Sequence, residues 1–131
     1  MDNWEKNWEE YLKNTRKNYN EYSDKIIIAD SQPLICLNNI NKLGILRMLF
    51  SEIYATPKVE EECKFKLPDW IRIEQPQSLI INAINKKGMD DGEKTAIALA
   101  LEFDVMNKHN IIQRKPCIIL DDHRAERLFK K

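Results

Sequence analysis

Uninterrupted apolar stretches alternate with helix-period apolar stripes along most of the chain. Residues 26–29 and 117–120 are apolar at every position, which is typical of strands buried on both faces of a parallel sheet. Shorter β-prone stretches predict strands at 53–55 and 70–73. Because strands alternate with helical stretches, we predict a parallel α/β sheet with right-handed crossovers.

Apolar positions spaced by three or four residues predict the helices between these strands. The predicted helices cover residues 33–37, 40–50, 57–63, 79–88 and 91–101, with a last one from about 122. Pro33 and Pro57 suit the first turn of a helix, and Gly88 suits a C-cap. Residues 104–116 are polar, and we predict a loop insertion there.

A separate amphipathic helix is predicted over residues 2–22, ahead of the first strand. Its apolar stripe is mostly aromatic and contains Trp4, Trp8, Tyr11, Leu12, Tyr19 and Tyr22. Such a stripe packs on the same domain, on a second copy of the chain or on a partner protein, and we favour the fold or a homodimer. We therefore divide the chain into an N-terminal helix, residues 1–24, and an α/β domain, residues 25–131.

Composition narrows the function classes without singling one out. The 131 residues suit one domain, and 21 basic residues balance 21 acidic ones, so no overall positive field attracts nucleic acid or anionic lipid. The three cysteines are widely spaced in apolar sequence, and we expect them to be reduced and buried. Because neither an apolar signal core nor a run of roughly 20 apolar residues is present, we expect a cytoplasmic protein without a membrane span.

Two predicted strands end on a carboxylate, and two more acidic residues fall near the same edge of the sheet. Asp30 follows the first predicted strand and Asp121 follows the last. Glu62 lies on the third predicted helix, and Glu93 lies in the first turn of the helix that begins near Asp91. Carboxylates at one edge repel each other unless a cation lies between them, and Mg²⁺ or Mn²⁺ prefers oxygen ligands. The pattern indicates a metal-dependent site suited to phosphoryl transfer.

Each acidic residue also has a purely structural interpretation. Asp30 would cap the helix that follows it, and Asp121 or Asp122 would cap the last helix. Glu93 would interact with the helix dipole, and Glu62 would belong to a solvated helix face. The metal site is favoured only when the four carboxylates are considered together.

Five sequence blocks occur in an order and spacing that resemble the PIN-domain family. They are Ile28-Ala29-Asp30-Ser31-Gln32-Pro33-Leu34-Ile35, Leu43-Gly44-Ile45-Leu46, Thr56-Pro57-Lys58-Val59-Glu60-Glu61-Glu62, Asp91-Gly92-Glu93-Lys94-Thr95-Ala96-Ile97-Ala98-Leu99-Ala100 and Ile119-Leu120-Asp121-Asp122. The blocks extend over residues 25–122 and are most similar to prokaryotic PIN-like proteins related to the VapC toxins of toxin–antitoxin pairs.

The resemblance implies a three-layer α/β/α sandwich around a central parallel sheet, shortened at the C-terminus and with an extra N-terminal amphipathic helix. It also implies a ribonuclease that depends on Mg²⁺ or Mn²⁺, with RNA as substrate, a cognate antitoxin as partner and a homodimer as the assembly. The residues that it assigns to catalysis and metal binding are Asp30, Glu62, Glu93 and Asp121. It assigns supporting roles to Ser31 and Asp122.

Two other functions compete with the ribonuclease. A catalytically silent PIN-like module would bind or regulate a partner protein through Trp4, Trp8 and Tyr11. A phospho-accepting signalling receiver is another doubly wound fold with clustered aspartates. A receiver requires a paired acid at the first strand and a lysine at the end of a late strand, and the chain has neither. The sequence therefore favours the ribonuclease.

Overall fold

A single parallel sheet forms the centre of the molecule. The computed structural model describes residues 25–84 and 88–120, and the four strands of these residues pair in the order β3-β2-β1-β4. The strands are β1 (Ile26–Ala29), β2 (Glu52–Ala55), β3 (Ile71–Ile73) and β4 (Pro116–Ile119). Each neighbouring pair runs parallel, so the predicted parallel sheet is confirmed.

Helices connect successive strands and cover both faces of the sheet. In the described residues they are α1 (Ser31–Asn39), α2 (Gly44–Leu49), α3 (Pro57–Cys63), α4 (Ser78–Ala83) and α5 (Asp91–Lys108). The helices predicted over 2–22 and from about 122 lie outside the described residues. Within 25–84 and 88–120, every helix is too short or too polar to cross a membrane.

Alternate residues of β1 belong to two different hydrophobic cores, one on each face of the sheet. One core contains Ile27, Ala29, Leu34, Leu46, Ile53, Ala55, Val59, Cys63, Leu67 and Ile71. The other contains Ile26, Ile28, Ala96, Leu99 and Ala100. Helices α1 to α3 contribute to the first core and α5 to the second, which confirms the predicted three-layer α/β/α arrangement. Burial on both faces explains the unbroken apolar sequence of β1.

Helix α5 ends seven residues later than the helix predicted over 91–101. We predicted a loop over 104–116, but the helix continues to Lys108, and the connection to β4 covers only residues 109–115. The Lys108 ammonium and the Asp104 carboxylate are 3.0 Å apart, one helical turn from each other. Polar residues on the last turns of a helix reach solvent, so their sequence resembles that of a loop.

Two shorter helices also differ from their predicted lengths. The helix predicted over 40–50 is observed only as α2, because Asn41 takes a left-handed φ of 56° and its N–H donates to the Asn38 carbonyl at 3.0 Å. This turn separates α2 from α1. Helix α4 ends at Ala83, so the predicted C-cap at Gly88 is wrong. None of the α4 residues is buried.

The three cysteines are unpaired thiols, in agreement with the sequence. Cys63 is buried and Cys117 is half-buried, but Cys36 is exposed. The expectation that all three lie in the core is therefore wrong for Cys36, which lies on the solvent side of α1.

The packing of β1 predicts a large loss of stability on truncation of Ile28, whose side chain is fully buried between the sheet and α5. Ile28→Ala is expected to lower the free energy of unfolding by about 2–5 kcal/mol, because it removes buried methyl groups and leaves a cavity. The matched control is Ile111→Ala, since Ile111 is 70% exposed. Urea denaturation of both variants tests this, and equal losses for the two would contradict the observed core.

Candidate functional site

The carboxyl ends of β1 and β4 lie side by side. Ala29 is in register with Ile119, and the Asp30 N–H donates to the Ile119 carbonyl at 3.1 Å. Asp30 is thus fixed at the edge where open parallel α/β sheets bind ligands. Asp121 follows Ile119 by two residues and lies outside the described part of the chain.

Asp30 is a buried carboxylate that also caps a helix. It is 2% exposed, and its Oδ1 accepts a hydrogen bond from the Ser31 N–H at 2.8 Å. The capping interpretation of Asp30 is therefore confirmed. The cap fixes the Asp30 carboxylate at the start of α1. Ser31, the next residue in the chain, is also buried, with 5% of its surface exposed.

Glu62 carries a buried oxygen without a hydrogen-bond partner in the described residues, its Oε1. The carboxylate lies against Gly92, in the first turn of α5. A methyl group at Gly92 would overlap Glu62 Oε1, and it would lie 2.7 Å from Cδ and 3.1 Å from Oε2. The Glu62 carboxylate therefore occupies the space that the missing glycine side chain leaves.

The surroundings of Glu62 favour its protonated form. Burial is the main cause that raises its pKa above 4.5, and the negative charge of Asp90 adds to the increase. Hydrogen bonding by the Ser31 hydroxyl, the positive charge of Lys58 and the Gly92 backbone act in the opposite direction. A negative charge at Glu62 thus lacks full compensation in the absence of a cation.

The thiol of Cys63 lies within electrostatic reach of both Asp30 and Glu62. The pKa of Cys63 is raised to about 11, mainly by burial and also by the negative charges of Glu62, Asp30 and Glu60. One buried group therefore experiences the charges of both carboxylates. The structure brings the Ser31 hydroxyl, which follows Asp30 at the end of β1, into a hydrogen bond with Glu62 of α3, although 30 residues lie between Ser31 and Glu62 in the chain.

Glu93 lies next to this pair without completing a metal site in the described residues. It is 7% exposed, follows Gly92, and its N–H donates to the Asp90 Oδ1 at 2.8 Å. Within residues 25–84 and 88–120, no group of three or more His, Cys, Asp or Glu residues is placed to hold a metal ion. Asp30, Glu62 and Glu93 lie within these ranges and do not form such a group by themselves, whereas Asp121 and Asp122 lie outside them, so the convergence of all four carboxylates stays a prediction.

Comparison with protein-family models assigns the chain to a family. A model described as a PIN domain matches residues 26–128. The chain belongs to the PIN-domain family. The comparisons with curated proteins and with solved structures found no match. PIN domains are generally nucleases, so membership indicates nuclease-type hydrolase activity for this α/β domain.

Gly92 is the residue of this PIN domain that sequence reasoning missed. The carboxylates of Asp91 and Glu93 indicate a site, but the glycine between them is also informative, because glycine costs roughly 1 kcal/mol relative to alanine inside a helix. A glycine in the first turn of a strongly apolar helix therefore signals close approach of another group. Here that group is the carboxylate of Glu62.

The donor atoms of the site fit a hard divalent cation. PIN domains usually use such metals. The side-chain donors gathered here are carboxylate and hydroxyl oxygens, which Mg²⁺ and Mn²⁺ prefer. Buried polar atoms are rarely left without hydrogen-bond partners. The Glu62 Oε1 is a buried atom that has none in the described residues. A cation at Glu62 would supply the partner and the missing positive charge.

Adding a methyl group at Gly92 is expected to displace the Glu62 carboxylate. Because the group in the way is the end of a flexible side chain, Gly92→Ala should fold, with Glu62 moved towards solvent and its pKa closer to 4.5. The control is Gly44→Ala, since a methyl group there meets nothing within 4 Å. Titration of the Glu62 carboxyl carbon by NMR in both variants measures the change. An unchanged Glu62 pKa in Gly92→Ala would contradict the observed contact.

The raised pKa of Glu62 also predicts how stability depends on pH without divalent metal. Its stabilising contribution is fully present below pH 4.5 and is lost as the pH rises through the folded-state pKa, because the native state binds the proton more tightly. Glu62→Gln should therefore lose less stability than wild type between pH 4.5 and neutrality. The control is Glu61→Gln, whose side chain is 73% exposed. Thermal unfolding in EDTA across this range tests it, and parallel curves for wild type and Glu62→Gln would contradict it.

Proposed function

We propose that this PIN domain is an Mg²⁺- or Mn²⁺-dependent endoribonuclease that hydrolyses phosphodiester bonds of RNA. The observation that carries the proposal is the buried Oε1 of Glu62, which has no hydrogen-bond partner in the described residues, on a carboxylate that is hydrogen-bonded to Ser31, the residue after Asp30. The residues proposed for catalysis and metal binding are Asp30, Glu62, Glu93 and Asp121. Ser31 and Asp122 are proposed as supporting residues.

The proposed roles follow from where each group is held. Asp30 is fixed by its helix cap, and the Ser31 hydroxyl favours the charged form of Glu62, so the two carboxylates can act as oxygen ligands without reorganising. A divalent cation held by these residues would act as a Lewis acid that screens phosphate charge and acidifies water. The carboxylates would orient the attacking water in line with the leaving oxygen of the phosphodiester.

A groove beside the site supports RNA as the substrate. Its volume is about 380 Å³, and it lies between the first turns of α3 and α5. Its lining includes Lys58 and Lys94, whose ammonium groups suit phosphate contacts, together with Glu61 and Asp91. Because the chain has no net charge, contact with RNA depends on such local groups and on the cation.

The resemblance to VapC-related proteins extends the proposal to the biological context. We propose that the protein acts in the cytoplasm as the toxin of a toxin–antitoxin pair, as a homodimer, with a cognate antitoxin that blocks RNA cleavage. Copurification with the product of a neighbouring gene, and loss of ribonuclease activity on its addition, would support this context. The nuclease chemistry is proposed independently of this context.

The competing function is the catalytically silent PIN-like binding module. Manganese titration by calorimetry separates the two, because only the nuclease needs a metal site. Millimolar or tighter Mn²⁺ binding that Asp121→Asn abolishes supports the nuclease, whereas no binding to the wild-type chain supports the module.

Replacement of Asp30 by asparagine is expected to remove RNA cleavage while the fold is kept. Asparagine retains the oxygen that accepts from the Ser31 N–H but removes the negative charge. We expect a loss of about 100-fold or more in Mg²⁺-dependent cleavage, as for other residues that stabilise transition-state charge. The control is Asp69→Asn, because Asp69 is exposed and lies in a turn before β3. Equal cleavage by wild type and Asp30→Asn would refute the proposal.

A further inference from the structure

Two buried threonines connect the start of α3 to the first turn of α5. Thr56 is fully buried and Thr95 is 8% exposed. Their hydroxyl oxygens are 2.7 Å apart. The Val59 N–H donates to the Thr56 Oγ1 at 3.2 Å, and the Thr95 hydroxyl donates to the Gly92 carbonyl at 2.9 Å. The four groups form one continuous chain of hydrogen bonds.

The direction of every bond in this chain is fixed by the number of protons. A carbonyl oxygen only accepts, so the single proton of the Thr95 hydroxyl is used on Gly92. The Thr56 hydroxyl must then donate its own proton to the Thr95 oxygen. The Thr56 oxygen in turn accepts a hydrogen bond from the Val59 N–H. Each hydroxyl thus donates once and accepts once, and neither is replaceable without leaving a buried group unpaired.

This chain of bonds joins the two surfaces that meet at the Glu62 carboxylate. Thr56 is the N-cap of α3, the helix that carries Glu62. Gly92 is the surface against which that carboxylate packs. The spacing of α3 and α5 therefore affects the contact between Glu62 and Gly92. The hydroxyl pair is a buried polar link between α3 and α5 next to this contact.

We propose that Thr56 and Thr95 are positioning residues that hold the Glu62 carboxylate against Gly92. Both residues act through the spacing of α3 and α5. The inference that this positioning serves metal binding rests on the proposed function, in which Glu62 is a metal ligand. The inference that the two threonines hold Glu62 against Gly92 does not depend on that function and is tested separately.

The test compares three variants of the full chain. Thr95→Val keeps the shape of the side chain but removes the hydroxyl, and Thr95→Ser keeps the hydroxyl and is expected to rescue. Ile53→Val removes one methyl group from a buried residue in the middle of β2, and it controls for a general loss of stability. If Thr95→Val does not fold, Thr95→Ala takes its place.

The first measurement is the NMR contact between the Glu62 γ-protons and the Gly92 α-protons, taken without metal. We expect this contact to be lost in Thr95→Val and retained in Thr95→Ser and Ile53→Val. A contact that persists in Thr95→Val, or that is lost to the same extent in Ile53→Val, would overturn the proposal.

The second measurement is Mn²⁺ affinity by titration calorimetry. Thr95→Val should bind Mn²⁺ about 10-fold to 100-fold more weakly than wild type, which is typical when a group that orients a ligand is removed. Thr95→Ser should bind close to wild type. Unchanged Mn²⁺ affinity in Thr95→Val would contradict the positioning role. If the wild-type chain binds no Mn²⁺, the proposed function fails, while the NMR contact still decides the inference about Thr56 and Thr95.

Discussion

A carboxylate oxygen buried without a partner in the described residues is the constraint on which the site depends. Glu62 Oε1 lies against Gly92, and burial together with the charge of Asp90 disfavours its ionised form. Asp30 brings a second carboxylate to the same region. Burial of a carboxylate oxygen without a hydrogen-bond partner costs free energy. In the proposed nuclease, a divalent cation would offset that cost.

The fold holds these groups in place by elements that have little freedom to move. Strand β1 is buried on both faces, and its end is tied to β4 through the Asp30 N–H and the Ile119 carbonyl. Helix α3 starts at a threonine cap that is bonded to Thr95 on α5. Asp30 and Glu62, one directly after a central strand and the other on a short helix, are therefore both positioned by regular secondary structure. Such preorganisation is what electrostatic catalysis requires.

Local sequence signals were sufficient for the elements that are short and strongly patterned. The strand at 26–29 and the helix at 57–63 have the predicted bounds, because unbroken apolar residues and a Thr-Pro start are local features. The end of α5 was missed because polar residues on outer turns look like a loop. The contact between Glu62 and Gly92 was missed because it depends on how α3 packs on α5, which no local pattern encodes. The acidic residues were recognised as a set mainly through the family resemblance.

Diffraction from crystals grown with Mn²⁺ tests the central claim most directly, because the anomalous signal locates the ion independently of activity. The account predicts an anomalous peak at coordination distance, about 2 Å, from the carboxylates of Glu62 and Asp30. A crystal in which this position is empty at millimolar Mn²⁺, with Glu62 Oε1 still buried and unpartnered, would contradict it.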